Sequence, residues 1–139
     1  EFRRVLFRST VFALVLTGIA AHAQQPPKPV PATPQNVAAF MGEWTINARG
    51  SYGDVSATVV LKADGAKVVG DITDMSGKHP LTDLSTSAGS LVGYYSFDYN
   101  GMPIDAVMTL TPNEKEKRTD AYLEMAGGAA SFSGTATKK

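Results

Sequence analysis

The sequence predicts an all-β chain that closes as an eight-stranded antiparallel up-and-down β-barrel, preceded by a short helix. Three observations carry this expectation. From Glu43 onward apolar and polar residues alternate with a period of two, turn signals recur about every ten residues, and no long helical pattern interrupts the run to allow parallel crossovers.

The elements follow in order. Thr33 is placed to cap a helix whose first residue is Pro34, with Val37, Phe40 and Met41 on one face and Gly42 ending it after one or two turns. Strands are expected at about 43–49, 54–62, 67–74, 80–85, 90–98, 102–110, 118–125 and 129–137. Asp64-Gly65 and Asn100-Gly101 are dipeptides that accept the positive φ of tight hairpins, and Gly127-Gly128 reads as a third such turn. Alternation sorts the faces. Val55, Ala57, Val59 and Leu61, then Val68, Gly70 and Ile72, then Leu91, Gly93, Tyr95, Phe97 and Tyr99 point inward. So do Met102, Ile104, Ala106, Met108 and Leu110, Ala121, Leu123 and Met125, and finally Ala130, Phe132, Gly134 and Ala136, while Asp98, Asp105, Thr109 and Glu124 face water. A sheet with one apolar face must fold over or close on itself, and hairpin-linked strands of this number suit closure, which also removes exposed edges.

Composition narrows the function classes. The chain has 139 residues, 43% hydrophobic and 19% charged, which fits one domain. With 13 Lys+Arg against 13 Asp+Glu there is no broad positive field for nucleic acid, so no nucleic-acid partner is expected. The absence of cysteine excludes disulfide frameworks, thiolate metal sites and cysteine nucleophiles.

The N-terminal 23 residues have the grammar of a secretory signal: Arg3, Arg4 and Arg8 as a basic region, an apolar run from Val11 to Ala20, and Ala21-His22-Ala23 as a small-x-small cleavage site. The run falls short of the roughly 20 apolar residues that span a bilayer. Cleavage after Ala23 would leave no membrane span and a product in the periplasm or outside the cell. The nonamer EFRRVLFRS resembles a translated sequencing-adapter oligonucleotide, so residues 1–9 are read as artefactual. Removing residues 1–23 takes three Arg and one Glu from the 13 basic and 13 acidic groups and leaves 10 against 12, a mildly acidic product. Residues 24–35, with five of the eight prolines, read as an extended linker, and residues 36–139 as the barrel domain.

Gly42-Glu43-Trp44 at the opening of the first strand, after a helical turn and before an eight-strand meander, resembles the lipocalin and avidin (calycin-type) group of barrels over about residues 36–139. It is similar to small lipocalin-like modules of exported bacterial proteins. In that group the Trp packs at the closed end beneath a cation from the last strand, and the resemblance assigns that role to Lys138 or Lys139. Of the second lipocalin signature, Thr-Asp-Tyr, Arg118-Thr119-Asp120-Ala121-Tyr122 is only a loose echo, and biotin-type pocket residues do not align, so no ligand identity carries over.

In an up-and-down meander alternate loops share an end. With Trp44 at the closed end, the open end holds the loops near 50–53, 74–79, 99–101 and 126–128. Tyr52, Met75, His79, Tyr95, Tyr99 and Met102 are the candidate ligand-binding residues there, an aromatic and Met-rich set suited to a small hydrophobic ligand, whereas the other end carries KADGAK, STSAGS and TPNEKEKR. A protonated His79 would favour an acidic ligand. The same residues also suit plain capping of a barrel end. The small inward residues Ala57, Gly70, Gly93, Ala106 and Gly134 admit two outcomes, a hollow lumen or tight coiling that lets larger side chains fill it.

No catalytic residue, metal site or cofactor is expected. Outside the leader His79 is the single histidine, there is no nucleophile elbow or phosphate-cradling loop, and Asp71 and Asp74 near His79 lack the calcium-loop pattern. Two classes remain: a non-enzymatic binder of a small apolar or amphipathic molecule, or an interaction or spacer module of the cell envelope with a filled barrel and a protein partner the sequence does not name. The leader reading generates a direct expectation: N-terminal sequencing of exported material finds Gln24 first, and a start at or before Thr10 contradicts it.

Overall fold

The structure, a computed structural model, describes residues 27–139, so the leader and the first residues of the linker lie outside the described residues. Among the described residues nine strands form: β1 (Val30–Pro31), β2 (Gly42–Gly50), β3 (Gly53–Asp64), β4 (Lys67–Asp74), β5 (Gly77–Ser87), β6 (Ser90–Tyr99), β7 (Met102–Asn113), β8 (Arg118–Met125) and β9 (Ala130–Lys138). Strands β2 to β9 pair antiparallel in chain order, and β9 returns to β2 to close the barrel. The all-β, up-and-down, eight-stranded architecture is therefore the one the alternation predicts.

The inward sets are buried along the middle of each strand as the period of two requires, but at the β6–β7 hairpin the alternation fails to bury Tyr99 and Met102, which are exposed because the strands there run past the packed interior. Ile46, Val59, Ile72, Leu91, Met108, Leu110 and Leu123 lose essentially all contact with solvent and fill the middle of the barrel. The small inward residues do not hollow it. The space beside Gly70 is taken by Leu61 and Leu81, and that beside Gly93 by Leu84, Leu81 and Met108, so these glycines admit close packing of their neighbours. Gly134 serves the seam between β2 and β9, because any Cβ there would collide with the backbone of Asn47 and Ala48. The Asn100-Gly101 turn is a tight hairpin with both residues at positive φ, 53° and 80°, and Asp98 Oδ1 accepts the Gly101 N–H at 2.7 Å. Gly127-Gly128 instead lies in a single 3-10 turn, Ala126–Gly128, within a longer β8–β9 connection.

Strand β5 is shared along its length. Gly77 to Leu81 pair with β4, and Thr82 and then Ser85 to Ser87 pair with β6, with a register shift between Thr82 and Ser85 where Asp83 takes a φ of 49°. The first half of β5 therefore has no ladder partner on its β6 side, and the second half none on its β4 side. The N-terminal arm occupies the latter gap. Val30 and Pro31 pair with Thr86 and Ser85, the Ala32 N–H donates to the Leu84 carbonyl at 2.9 Å, and the Ser87 hydroxyl donates to the Pro27 carbonyl at 3.0 Å. From Pro27 onward the proline-rich stretch is docked on the barrel instead of running free, because an unpaired strand edge offers its backbone partners.

The short helix is reduced to a turn over residues 34–37 followed by one 3-10 turn, Ala38–Phe40. Thr33 does cap it: its Oγ1 accepts the Asn36 N–H at 3.2 Å, and Asn36 Oδ1 accepts the Thr33 N–H at 2.7 Å. The turn tucks Val37 and Phe40 under the barrel, where Trp44 donates its indole N–H to the Phe40 carbonyl at 2.7 Å. Lys138, opposite Trp44 on β9, places its ammonium 5.8 Å from the indole centroid, and Lys139 pairs with Glu43 at 2.6 Å. Of the two lysines, Lys138 covers the ring.

Trp44→Ala deletes the largest side chain of this closed end and is expected to cost about 3–5 kcal/mol in urea denaturation, against about 0.5–1 kcal/mol for Lys138→Ala. An unchanged midpoint for Trp44→Ala would contradict the plug.

Candidate functional site

At the end opposite Trp44, the turns after β2, β4, β6 and β8 surround a cavity of about 620 Å³. Its floor is apolar, from the interior faces of β3, β6, β7, β8 and β9: Val55, Phe97, Ile104, Met125 and Phe132. Its rim is Tyr52, Met75 and Tyr99, and its polar wall is Asp54, Asp74 and Ser76. Below the floor the lumen is packed, so the cavity is a mouth and not a tunnel. Three further depressions, of about 480–520 Å³, are lined mainly by polar and charged residues, one of them reaching Trp44. The mouth is where interior apolar faces meet solvent, which is the arrangement small-molecule sites use.

The candidate residues separate into three groups. Tyr52, Met75 and Tyr99 line the mouth, with Met75 projecting almost wholly into solvent at the tip of the β4–β5 hairpin (95% exposed). Met102, the partner of Tyr99 across the β6–β7 hairpin, is exposed and does not line the cavity. His79 and Tyr95 also stay out of the lining. His79 sits on β5 opposite the inward Ile72, not in a loop, with its side chain 15% exposed. It stacks on Tyr95 at 6.1 Å and packs tilted against Phe97 at 6.0 Å, centroid to centroid, and so bridges β5 and β6 where they share no ladder.

The three residues of the polar wall, Asp54, Asp74 and Ser76, lie outside the candidate set. The β4–β5 hairpin turns on Met75-Ser76, and Asp74 Oδ1 accepts both the Ser76 N–H at 2.8 Å and the Ser76 hydroxyl. Ser76 Oγ also lies 2.8 Å from His79 Nε2, and Asp74 Oδ1 lies 3.8 Å from the same nitrogen. A nucleophilic triad needs the carboxylate on the other imidazole nitrogen, so this contact set orders the turn and does not line up a proton relay through the ring. The signal for Asp74 was available: the inward series Val68, Gly70, Ile72 continues by two to Asp74. Asp71, on the other face, pairs with Lys78 at 3.3 Å, so strand alternation parts the two aspartates flanking Ile72.

Tyr95 is the buried polar residue of this end. It is 2% exposed, and among the described residues its hydroxyl finds no hydrogen-bond partner. Burial, reinforced by the negative charge of Asp74, pushes its pKa up to about 12.

Comparison with protein-family models, with curated proteins and with solved structures yields no match for this chain.

Tyr95→Phe removes a buried hydroxyl that has no partner and is expected to stabilise the fold by about 1 kcal/mol. The folded-state pKa lies above the unfolded value of 10.0, so the unfolded chain ionises first and stability is lost as pH rises from 10.0 towards about 12. Urea melts across that range should show the loss in the parent chain and a smaller loss in Tyr95→Phe; parallel profiles would contradict the assignment.

Proposed function

We propose that this chain is an exported, non-enzymatic barrel protein that holds a small apolar or amphipathic molecule in its open mouth. The observation that carries the reading is the cavity of about 620 Å³, floored by Phe97, Ile104, Met125 and Phe132 and rimmed by Tyr52 and Tyr99. Apolar burial at about 25 cal/mol per Å² supplies affinity, and the few polar groups of one wall orient the occupant. Export is supported by the leader pattern ending at Ala23, and kinship with lipocalin-like barrels by the strand order together with the Trp44–Lys138 pair at the closed end.

The packed lumen favours a second reading, an interaction module of the envelope with no small-molecule ligand, since Leu61, Leu81 and Leu84 occupy the space beside the inward glycines. Titration with the neutral fluorophore N-phenyl-1-naphthylamine separates the two. Saturable binding is expected for the mouth reading. It should weaken about fivefold in Tyr99→Ala, as loss of about 40 Å² of apolar contact implies, and vanish in Ala130→Trp, which fills the cavity. Lys115→Ala, in the connection after β7 at the far end, should leave it unchanged. No saturable binding by the folded parent chain would favour the interaction module.

A further inference from the structure

On the reading that the mouth holds a ligand, we infer that the occupant carries a protonated amine on an apolar body, with the ammonium seated against Asp74. The two charged residues in the cavity lining are both acids, Asp54 and Asp74, and they stand in different situations. Asp54 is already matched, because Arg49 donates to both of its oxygens at 2.6 and 3.1 Å on the exposed side of the β2–β3 hairpin. Asp74 is not. Its side chain is 7% exposed, and among the described residues every hydrogen bond it accepts lands on Oδ1, leaving Oδ2 without a donor.

No fixed cation of the described residues answers this carboxylate. Lys78, four residues along the same hairpin, is drawn to Asp71, and Arg49 is held by Asp54. His79 Nε2 is 3.8 Å from Oδ1, beyond hydrogen-bond range, and takes its close contact from Ser76. A largely enclosed carboxylate whose free oxygen has no donor among the described residues is a ready seat for a cation in the adjoining cavity. The unpartnered Tyr95 hydroxyl, which feels the charge of Asp74, marks the same wall as short of polar partners.

The remainder of the cavity fits such a ligand. The faces of Tyr52, Phe97 and Tyr99 carry the negative quadrupole that attracts an ammonium, and Ile104, Met125 and Phe132 receive its apolar body. A ligand carboxylate would meet Asp74 as a like charge in a partly desolvated wall. The acidic ligand that a charged His79 would favour is thereby disfavoured, because Asp74, and not His79, lines the cavity.

The test is displacement of N-phenyl-1-naphthylamine near neutral pH by dodecylamine, dodecanol and dodecanoate, each below its micellar range, so that tail length is constant and only the headgroup differs. Dodecylamine is expected to compete about tenfold better than dodecanol, the ratio that about 1.4 kcal/mol represents, with dodecanoate weakest. Asp74→Asn keeps an acceptor for the Ser76 N–H, and is expected to erase the amine advantage while leaving dodecanol unchanged; Asp54→Asn is expected to preserve it. Equal competition by all three, dodecanoate ranking first, or an amine advantage that survives Asp74→Asn overturns the amine assignment and leaves the mouth reading intact. Failure of the fluorophore and of all three amphiphiles to bind overturns the mouth reading itself. Should Asp74→Asn not fold, the headgroup ranking in the parent chain decides.

Discussion

The seam between β2 and β9 is the interaction on which the rest of the molecule depends. Every other neighbouring pair in the barrel is joined by a hairpin, so its ends are held together by the chain; this pair joins strands from the two ends of the domain, from Trp44↔Lys138 to Gly50↔Phe132. Bringing them together costs loop entropy that local hairpins do not. In return the sheet keeps unpaired edge only along the two gaps of β5, and its single apolar face becomes an interior. Gly134 makes the close approach sterically feasible.

Closure also makes the two ends unlike. At one end Val37, Phe40 and Trp44 form a plug, held by the indole N–H on the Phe40 carbonyl and covered by Lys138. At the other, no segment of the described residues crosses the opening, and the apolar interior comes to the surface between Phe97, Ile104, Met125 and Phe132. The asymmetry follows from where the chain enters: the arm and its 3-10 turn precede β2 at the Trp44 end, so that end is filled and the opposite end is left to hairpin turns.

Strand β5 is the irregular part of the wall. It exchanges neighbours halfway, and side chains or the N-terminal arm fill the gaps left in the ladder. On the closed side Val30, Pro31 and Ala32 supply backbone partners; on the mouth side His79, Tyr95 and Phe97 stack across the missing ladder. The polar groups of the interior concentrate beside this second gap, where Asp74, Ser76 and His79 contact one another and the Tyr95 hydroxyl is left over. A wall that combines missing ladder bonds with a largely buried carboxylate is less uniformly apolar than its neighbours, and the cavity opens against it.

Strand number, order and facing were legible in the sequence, because a period of two and hairpin dipeptides such as Asn100-Gly101 are local signals that a closed barrel does not override. The Trp44 end was legible for the same reason, a short motif at a strand start with a lysine at the chain's other limit. The mouth was legible by loop parity, yet its membership was not: Met102 does not reach it, Tyr95 and His79 pack behind the wall, and Asp54, Asp74 and Ser76 belong to it. Those placements depend on the half-register exchange of β5 and on how far each side chain stands from the barrel axis, quantities set only when distant strands meet. The fate of the inward glycines was likewise decided in three dimensions, since Leu61, Leu81 and Leu84 reach them from neighbouring strands or across a ladder gap. Alternation determines which way a side chain points; what it meets there is determined by closure.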